Sequence, residues 1–205
     1  MDFFQKLLHW LLQWDTGLFL KINTEWTNSA LDSIFPWWRE ANTWVPFYLF
    51  LVVFVWMNFG KKAIWWILAA VATLVITDQL SSNLIKNWVA RPRPCRDEVL
   101  ASQVRLLLNN CSGAYSFTSS HAANHFGFAV FLIVTLKNIV GRWRYLLLFW
   151  AASIGYAQVY VGVHYPLDVI CGTLLGILAG YLTGNFHNNR FGILLPPKVE
   201  DRISM

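Results

Sequence analysis

Three short stretches gather side chains able to handle a phosphate group. In KNWVARPRPC, Lys86 and Arg93 stand at the end of an apolar run, with Pro92 and Pro94 stiffening the turn there. Two fixed cations at such an exit suit an anion with several oxygens. Basic chains snorkelling at a membrane boundary are the plainer alternative. In SFTSSHAANHFG, Thr118, Ser119 and Ser120 precede His121. Hydroxyl residues cap helix N-termini, and the free N–H groups there favour phosphate, so His121 stands beside a ready anion site. An ordinary cap with an interfacial histidine has the same pattern, and His125, one turn on, reads as packing. In GVHYPLDV, His164 and Asp168 lie four apart around Pro166. A carboxylate that accepts from one imidazole nitrogen fixes the tautomer and frees the other nitrogen to attack. The same pair could instead clasp two helices together.

The elements that must position these groups are membrane helices. Of 205 residues 56% are hydrophobic and only 13% charged, whereas a soluble domain carries roughly 25% charged residues. Five runs reach the length of about 20 residues that crosses a hydrocarbon core: about 44–59, 63–87, 122–139, 145–162 and 166–184. Residues 3–21 put Phe4, Leu7, Leu8, Leu11 and Leu12 on one face against Lys6, Gln13 and Asp15, which fits a helix lying in the interface. A sixth span there is the alternative. The expected fold is therefore all-α, an integral membrane bundle of about five spans with an N-terminal interfacial helix. It is divided as 1–42 interfacial segment, 43–186 transmembrane core and 187–205 cytoplasmic tail. Polar residues interrupt the N-terminus, so no cleavable signal peptide is expected. Trp37, Trp38, Trp44, Trp65, Trp66, Trp88 and Trp143 flank the apolar runs as interfacial anchors. Gly172, Gly176, Gly180 and Gly184 form a stripe that lets a neighbouring helix approach closely.

The net charge of +5 points to anionic lipid surfaces rather than nucleic acid, because no stacking-aromatic motif accompanies the basic residues. Alternation of the spans puts all three clusters on one side of the membrane, with the loop 90–120. Lys and Arg divide equally between the two sides, eight and eight of 16. Setting aside Lys86, Arg91 and Arg93 as functional makes the opposite side cytoplasmic. Cys95 and Cys111 share the long loop and either form a disulfide in an oxidising compartment or stay as two thiols. Cys171 reads as a small core residue.

In order, the clusters resemble the signature of the type 2 phosphatidic acid phosphatase superfamily: Lys, six residues, Arg-Pro; then Pro-Ser-Gly-His; then Ser-Arg, five residues, His, three residues, Asp. The likeness covers roughly residues 63–185. It implies that Lys86, Arg93, the Ser119 hydroxyl and the Ser120 backbone N–H bind phosphate oxygens. It further implies that His164 attacks phosphorus to give a phosphohistidine, that Asp168 orients His164, and that His121 protonates the leaving oxygen and later activates water. No metal or other cofactor is implied. Thr118 and Ser120 replace the family's Pro and Gly, and Ala157-Gln158 stands where Ser-Arg is expected. Gln158 can still donate to phosphate, and Arg91, Arg96 or Arg105 could supply the charge that it lacks. On this reading Gln158→Arg keeps or raises activity. Asp78 lies outside the signature; a role for a buried acid and plain hydrogen bonding to Ser81 and Ser82 read equally well, and it is left out of the site.

The expected activity is metal-independent hydrolysis of a lipid phosphate or diphosphate at the outer face of the cell membrane. Undecaprenyl diphosphate comes first among substrates, with phosphatidic acid, phosphatidylglycerol phosphate and lipid A phosphates as alternatives. A catalytically silent lipid-phosphate binder or transporter, and haloperoxidase chemistry, are the competing functions.

Overall fold

The computed structural model describes residues 2–111 and 113–192, so the expected tail from residue 193 onward lies outside the described residues. Nine α-helices occur among them. They are α1 (Phe3–Leu20), α2 (Ser29–Trp38), α3 (Val45–Phe59), α4 (Ala63–Asp78), α5 (Lys86–Val89), α6 (Ser120–Thr135), α7 (Lys137–Val140), α8 (Tyr145–Tyr160) and α9 (Pro166–Arg190). The stretch Gln79–Ile85 is π-helical and joins α4 to α5 without a break. The fold is that of an all-α membrane bundle; α3, α4, α6, α8 and α9 each overlap one of the five expected apolar runs, and α1, of similar length, covers the expected interfacial helix. By length and composition, the stretches Ala41–Val89 and Pro166–Arg190 can each cross a bilayer, and Ser120–Thr135 with Lys137–Tyr160, bent by 75°, make a third candidate. Two of the expected runs fall in the first stretch and two in the bent pair.

Helix α6 sits at the centre, packed on α9, α8 and α4. The glycine stripe explains how closely α9 approaches. A Cβ on Gly172 would collide with the Ser119 carbonyl, one on Gly176 with that of Ala123 and one on Gly180 with that of Gly127. The two backbones therefore touch, and Ser119 N–H donates to the Asp168 carbonyl at 2.9 Å. That contact ties the start of α6, which carries His121, to the first turn of α9, which carries Asp168. The core around it is apolar, with Val55, Trp66, Phe131, Leu132, Ala151 and Ile154 all buried. Outward-facing Phe50, Met57, Val71, Val75, Phe149 and Leu182 are exposed, as expected where lipid rather than water is the solvent.

Trp37, Trp65, Trp88 and Trp143 are half or more exposed, but Trp66 is a core residue, 1% exposed. Its indole N–H donates to Thr135 Oγ1 at 2.9 Å, which removes the need for an interfacial partner.

The N-terminal segment does more than lie beside the bundle. α1 opens with a reciprocal cap between Asp2 and Gln5 and exposes Phe3, Phe4, Leu7, Leu8 and Trp10. Its other face buries Asp15 and Phe19. α2 is capped by Asn28, whose side chain accepts from Ala30 and Leu31 N–H, and it lies along α8. Phe35 packs edge-on against Tyr156 and Tyr160, Trp38 donates to Ser153 Oγ at 2.8 Å, and the Tyr160 hydroxyl donates to Asp32 at 2.6 Å.

Candidate active site

The loop 90–119 folds back over the bundle because several local devices fix it. Ala90 adopts a left-handed conformation, φ 50°, that ends α5. Ser116 N–H donates to the Arg91 carbonyl at 2.8 Å. Cys95 and Cys111 are joined in a disulfide, and the Arg96 guanidinium donates to the Cys111 carbonyl at 2.8 Å. Of the two cysteine alternatives open from the sequence, the structure has the bonded pair. Together these contacts aim Arg93 inward, where it is 9% exposed and donates to the Val163 carbonyl at 3.2 Å. Burial is the main reason that the Arg93 guanidinium is pulled down to about 10, which still leaves it charged at neutral pH.

Gly162, at φ 91°, makes the turn into His164. A side chain there would meet Val104 and the Arg105 carbonyl, so the turn requires glycine on both counts. His164 is fully enclosed, 1% exposed. Its Nδ1 faces Asp168 Oδ2 at 3.5 Å, and its Nε2 lies 3.5 Å from Arg93 Nη1. Burial first, then the nearby charges of Arg93, Lys86 and Arg39, hold this imidazole well below the usual histidine range. It is therefore neutral near pH 7 and has a lone pair to offer. Asp168 is buried too. Its Oδ2 accepts from Tyr165 N–H at 2.8 Å, and its Oδ1 pairs with Arg91 at 2.9 Å.

A cavity of about 580 Å³ adjoins these groups, lined among others by Lys86, Arg93, Ser120, His121, Asp78 and Asn124. Lys86 Nζ donates to Ser120 Oγ at 2.9 Å. The side chain of Ser119 is spent on capping α6, accepting from Ala122 N–H at 3.4 Å, so Ser120 is the residue whose hydroxyl faces the cavity. The cavity wall continues into a second, apolar groove of about 170 Å³ between α3, α4 and α6, sharing Tyr48, Leu74 and Phe128 with it.

Lys86, Arg93, Ser119, Ser120, His121, His164 and Asp168 thus converge. Gln158 is near them, fully buried, but its Oε1 accepts from Arg39 Nε at 3.0 Å. None of the three arginines considered as substitutes for the missing cation is free to act as one. Arg91 is held by Asp15 at 2.7 Å and by Asp168, Arg96 by the Cys111 carbonyl and Arg105 by Asp32 at 2.7 Å. Sequence reasoning missed two neighbours of these groups and left Asp78 out of the site. Asp15, fully buried, pairs with Arg91 and accepts from Leu167 N–H at 2.8 Å. Arg39 places Nη2 3.5 Å from His121 Nε2. Asp78 lines the cavity and accepts from Ser82 and from Asn124, each at 3.2 Å. His125 does more than pack, since its Nδ1 lies 2.8 Å from the His121 carbonyl. No cluster of His, Cys, Asp and Glu suited to a metal occurs among the described residues.

A family model described as PAP2 superfamily matches residues 63–191. The lipid A 4'-phosphatase of Bacteroides thetaiotaomicron is 33% identical over 142 residues, 68% of this chain and 62% of that protein, so this chain spans less than two thirds of that relative. The undecaprenyl-diphosphatase BcrC of Bacillus subtilis is 28% identical over 178 residues, 84% of this chain and 81% of that protein. Among solved structures, a transmembrane PAP2-type phosphatidylglycerolphosphate phosphatase from Bacillus subtilis superposes with a TM-score of 0.68 over 90% of this chain and 89% of its own. At 17% identity that likeness speaks for the fold alone.

Proposed function

Because the chain belongs to the PAP2 superfamily, we propose that it removes phosphate from a membrane lipid phosphate or diphosphate through a phosphohistidine formed on His164. The observation that carries this reading is the pairing of two imidazoles, His164 buried and His121 half-buried, with two arginines beside one cation-lined cavity: His164 Nε2 with Arg93 and His121 Nε2 with Arg39, each at 3.5 Å.

Phosphate oxygens entering the cavity meet Arg93, Lys86 and the Ser120 hydroxyl. His164 Nε2 attacks phosphorus in line while its Nδ1 proton faces Asp168. The bond to the leaving oxygen breaks, and His121 gives that oxygen a proton. Water then attacks the phosphohistidine, His121 takes the water's proton, and inorganic phosphate departs. Positioning and charge stabilisation do most of the work in phosphoryl transfer, which suits a site made of fixed cations. Ser119 contributes by capping α6, and Gln158 by holding its neighbours. The apolar groove between α3 and α4 is a natural path for the lipid's hydrocarbon.

The lipid substrate is the finer part of the proposal. The relative at 33% identity favours a lipid A phosphate, over the polyprenyl diphosphate ranked first from sequence. The near-full-length match to an undecaprenyl-diphosphatase keeps the diphosphate as the second reading. The disulfide beside the site supports an outward-facing active site in the cell membrane, since such bonds persist in oxidising compartments. In this arrangement residues 1–42 are an interfacial segment on the same outer side, and 43–186 are the transmembrane core.

Phosphate release by detergent-purified protein over lipid A, undecaprenyl diphosphate and phosphatidylglycerol phosphate, with and without chelator, tests this directly. The expected result is chelator-insensitive release that is greatest on lipid A and absent in His164→Ala. Turnover that needs a metal, or that survives the alanine, would sink the mechanism.

A further inference from the structure

Each histidine of the site has its own arginine, and the two arginines come from different parts of the chain. Arg93 is delivered by the loop that carries the rest of the anion-binding groups. Arg39 is the C-cap of α2, in the segment that precedes the family match. It is nonetheless 6% exposed. The docking of α2 on α8 through Phe35, Trp38 and the Asp32–Tyr160 hydrogen bond fixes where its backbone ends. The guanidinium is then committed at two of its three nitrogens. Nε donates to the buried Gln158 Oε1, and Nη1 pairs with Glu40, which is half exposed. Nη2 points at His121 Nε2, and both His121 and the nearby Ala41 line the cavity.

We infer that Arg39 is a phosphate-binding catalytic residue, and that Gln158 is the positioning residue that holds it at the cavity. The geometry explains why position 158 is neutral. A carboxamide oxygen can accept from Arg39 Nε, whereas a second guanidinium at the same buried spot would repel it. It also explains why a cation missing from α8 need not be missing from the site, since α2 delivers one over the same position. Gln158 Nε2, buried and without an acceptor, is a further donor within the group. Arg39 would carry charge on the non-bridging oxygens as the phosphorus bond to the leaving group lengthens, the stage at which an arginine's paired donors are most effective. The inference deepens the phosphatase reading and rests on it for the reaction, but not for the binding of an oxyanion.

Two readouts on detergent-purified variants test it, lipid phosphate hydrolysis and the affinity for orthovanadate as a phosphate mimic. Arg39→Gln should lower kcat/KM and vanadate affinity by roughly 100-fold, and Arg39→Lys by less, because a point charge remains. Gln158→Arg alone should also lower both, the reverse of the outcome expected from the sequence, because the new guanidinium would remove the acceptor of Arg39 Nε and repel it. In the Arg39→Gln background the same change should restore them to within about tenfold of the parent, since one guanidinium again occupies the spot. Lys61→Gln, an exposed cation in the turn between α3 and α4, should change neither. Unaltered vanadate affinity in Arg39→Gln, or a folded double variant no better than Arg39→Gln, overturns the inference. If Arg39→Gln proves unstable on melting, an Arg39→Lys no weaker than the parent overturns it, and one intermediate in both readouts upholds it. A parent protein that binds vanadate through Arg39 yet hydrolyses no lipid phosphate would refute the phosphatase reading and the catalytic role of Arg39, and uphold its binding of an oxyanion. A parent that binds no vanadate refutes both.

Discussion

Residues 63–191 and the residues before them meet at one pocket, but they reach it by different physics. The later segment places its groups by helix geometry. His121 begins α6, Asp168 lies in the first turn of α9, and the glycine stripe presses those two helix starts together. The earlier segment places its groups by long-range pairing. Asp15 reaches Arg91 across 76 residues and Arg39 reaches Gln158 across 119. In the proposed mechanism the reacting imidazoles thus belong to one compact segment, while part of the charge around them comes from another. Asp15 illustrates this well. With it removed, Arg91 would be left with Asp168 alone, and the carboxylate facing His164 would carry the whole of that cation.

The largest effect should come from separating the helix starts. Gly176→Leu drives a side chain into the α6 backbone, so it should yield protein that melts well below the parent and has no measurable turnover. A stable, active Gly176→Leu would show that close helix contact does not position the site. Next is the latch from the earlier segment. Asp15→Asn leaves the volume but removes a charge from a buried pair, a class of change that costs about 3–5 kcal/mol when one ion is left unpaired. It should lower the melting temperature clearly and kcat by about tenfold or more, measured as phosphate release. Unchanged values would make the N-terminal helix a bystander.

A smaller effect is expected at the disulfide. Cys95→Ser with Cys111→Ser, or treatment with reductant, should loosen the loop that aims Arg93 and raise KM several-fold while kcat changes less; identical kinetics would detach the loop from phosphate binding. The smallest is the pH response. Since burial keeps His164 neutral well into the acid range, protonation, which would remove its lone pair, sets in only below the ordinary histidine value near 6.5. The acid limb of kcat/KM, corrected for the ionisation of the substrate itself, should therefore fall below about 6.5. A limb above pH 7 would mean that the nucleophile is more exposed to solvent than this structure has it.

Legibility from the chain alone divides along the same line. Lys86, Arg93, His121, His164 and Asp168 were legible as candidates because alternation of the spans puts their three clusters on one side of the membrane and their order resembles the superfamily signature. The all-α bundle was legible because runs of apolar residues have few other uses. Asp15 and Arg39 were not, because a single charge on an amphipathic segment has the same local pattern whether it faces solvent or a buried partner. The one available signal for Arg39 was indirect: the neutral Gln158 left the pocket short of a cation. Trp66 misled for a similar reason, since a tryptophan near a helix end fits the interface until Thr135 supplies its acceptor. The Ser119 hydroxyl, expected on phosphate, caps α6 instead, and the Ser120 hydroxyl, of which only the backbone N–H was expected to serve, faces the cavity, because the cap geometry is settled only in three dimensions.

The central claim is a covalent bond between phosphorus and one imidazole. Purified protein mixed with lipid phosphate labelled at phosphorus, quenched in alkali and digested, should carry label on the peptide containing His164. That label should be stable to base, labile to acid and missing from His164→Ala. Label on any other residue, or full turnover in that variant, would contradict the account.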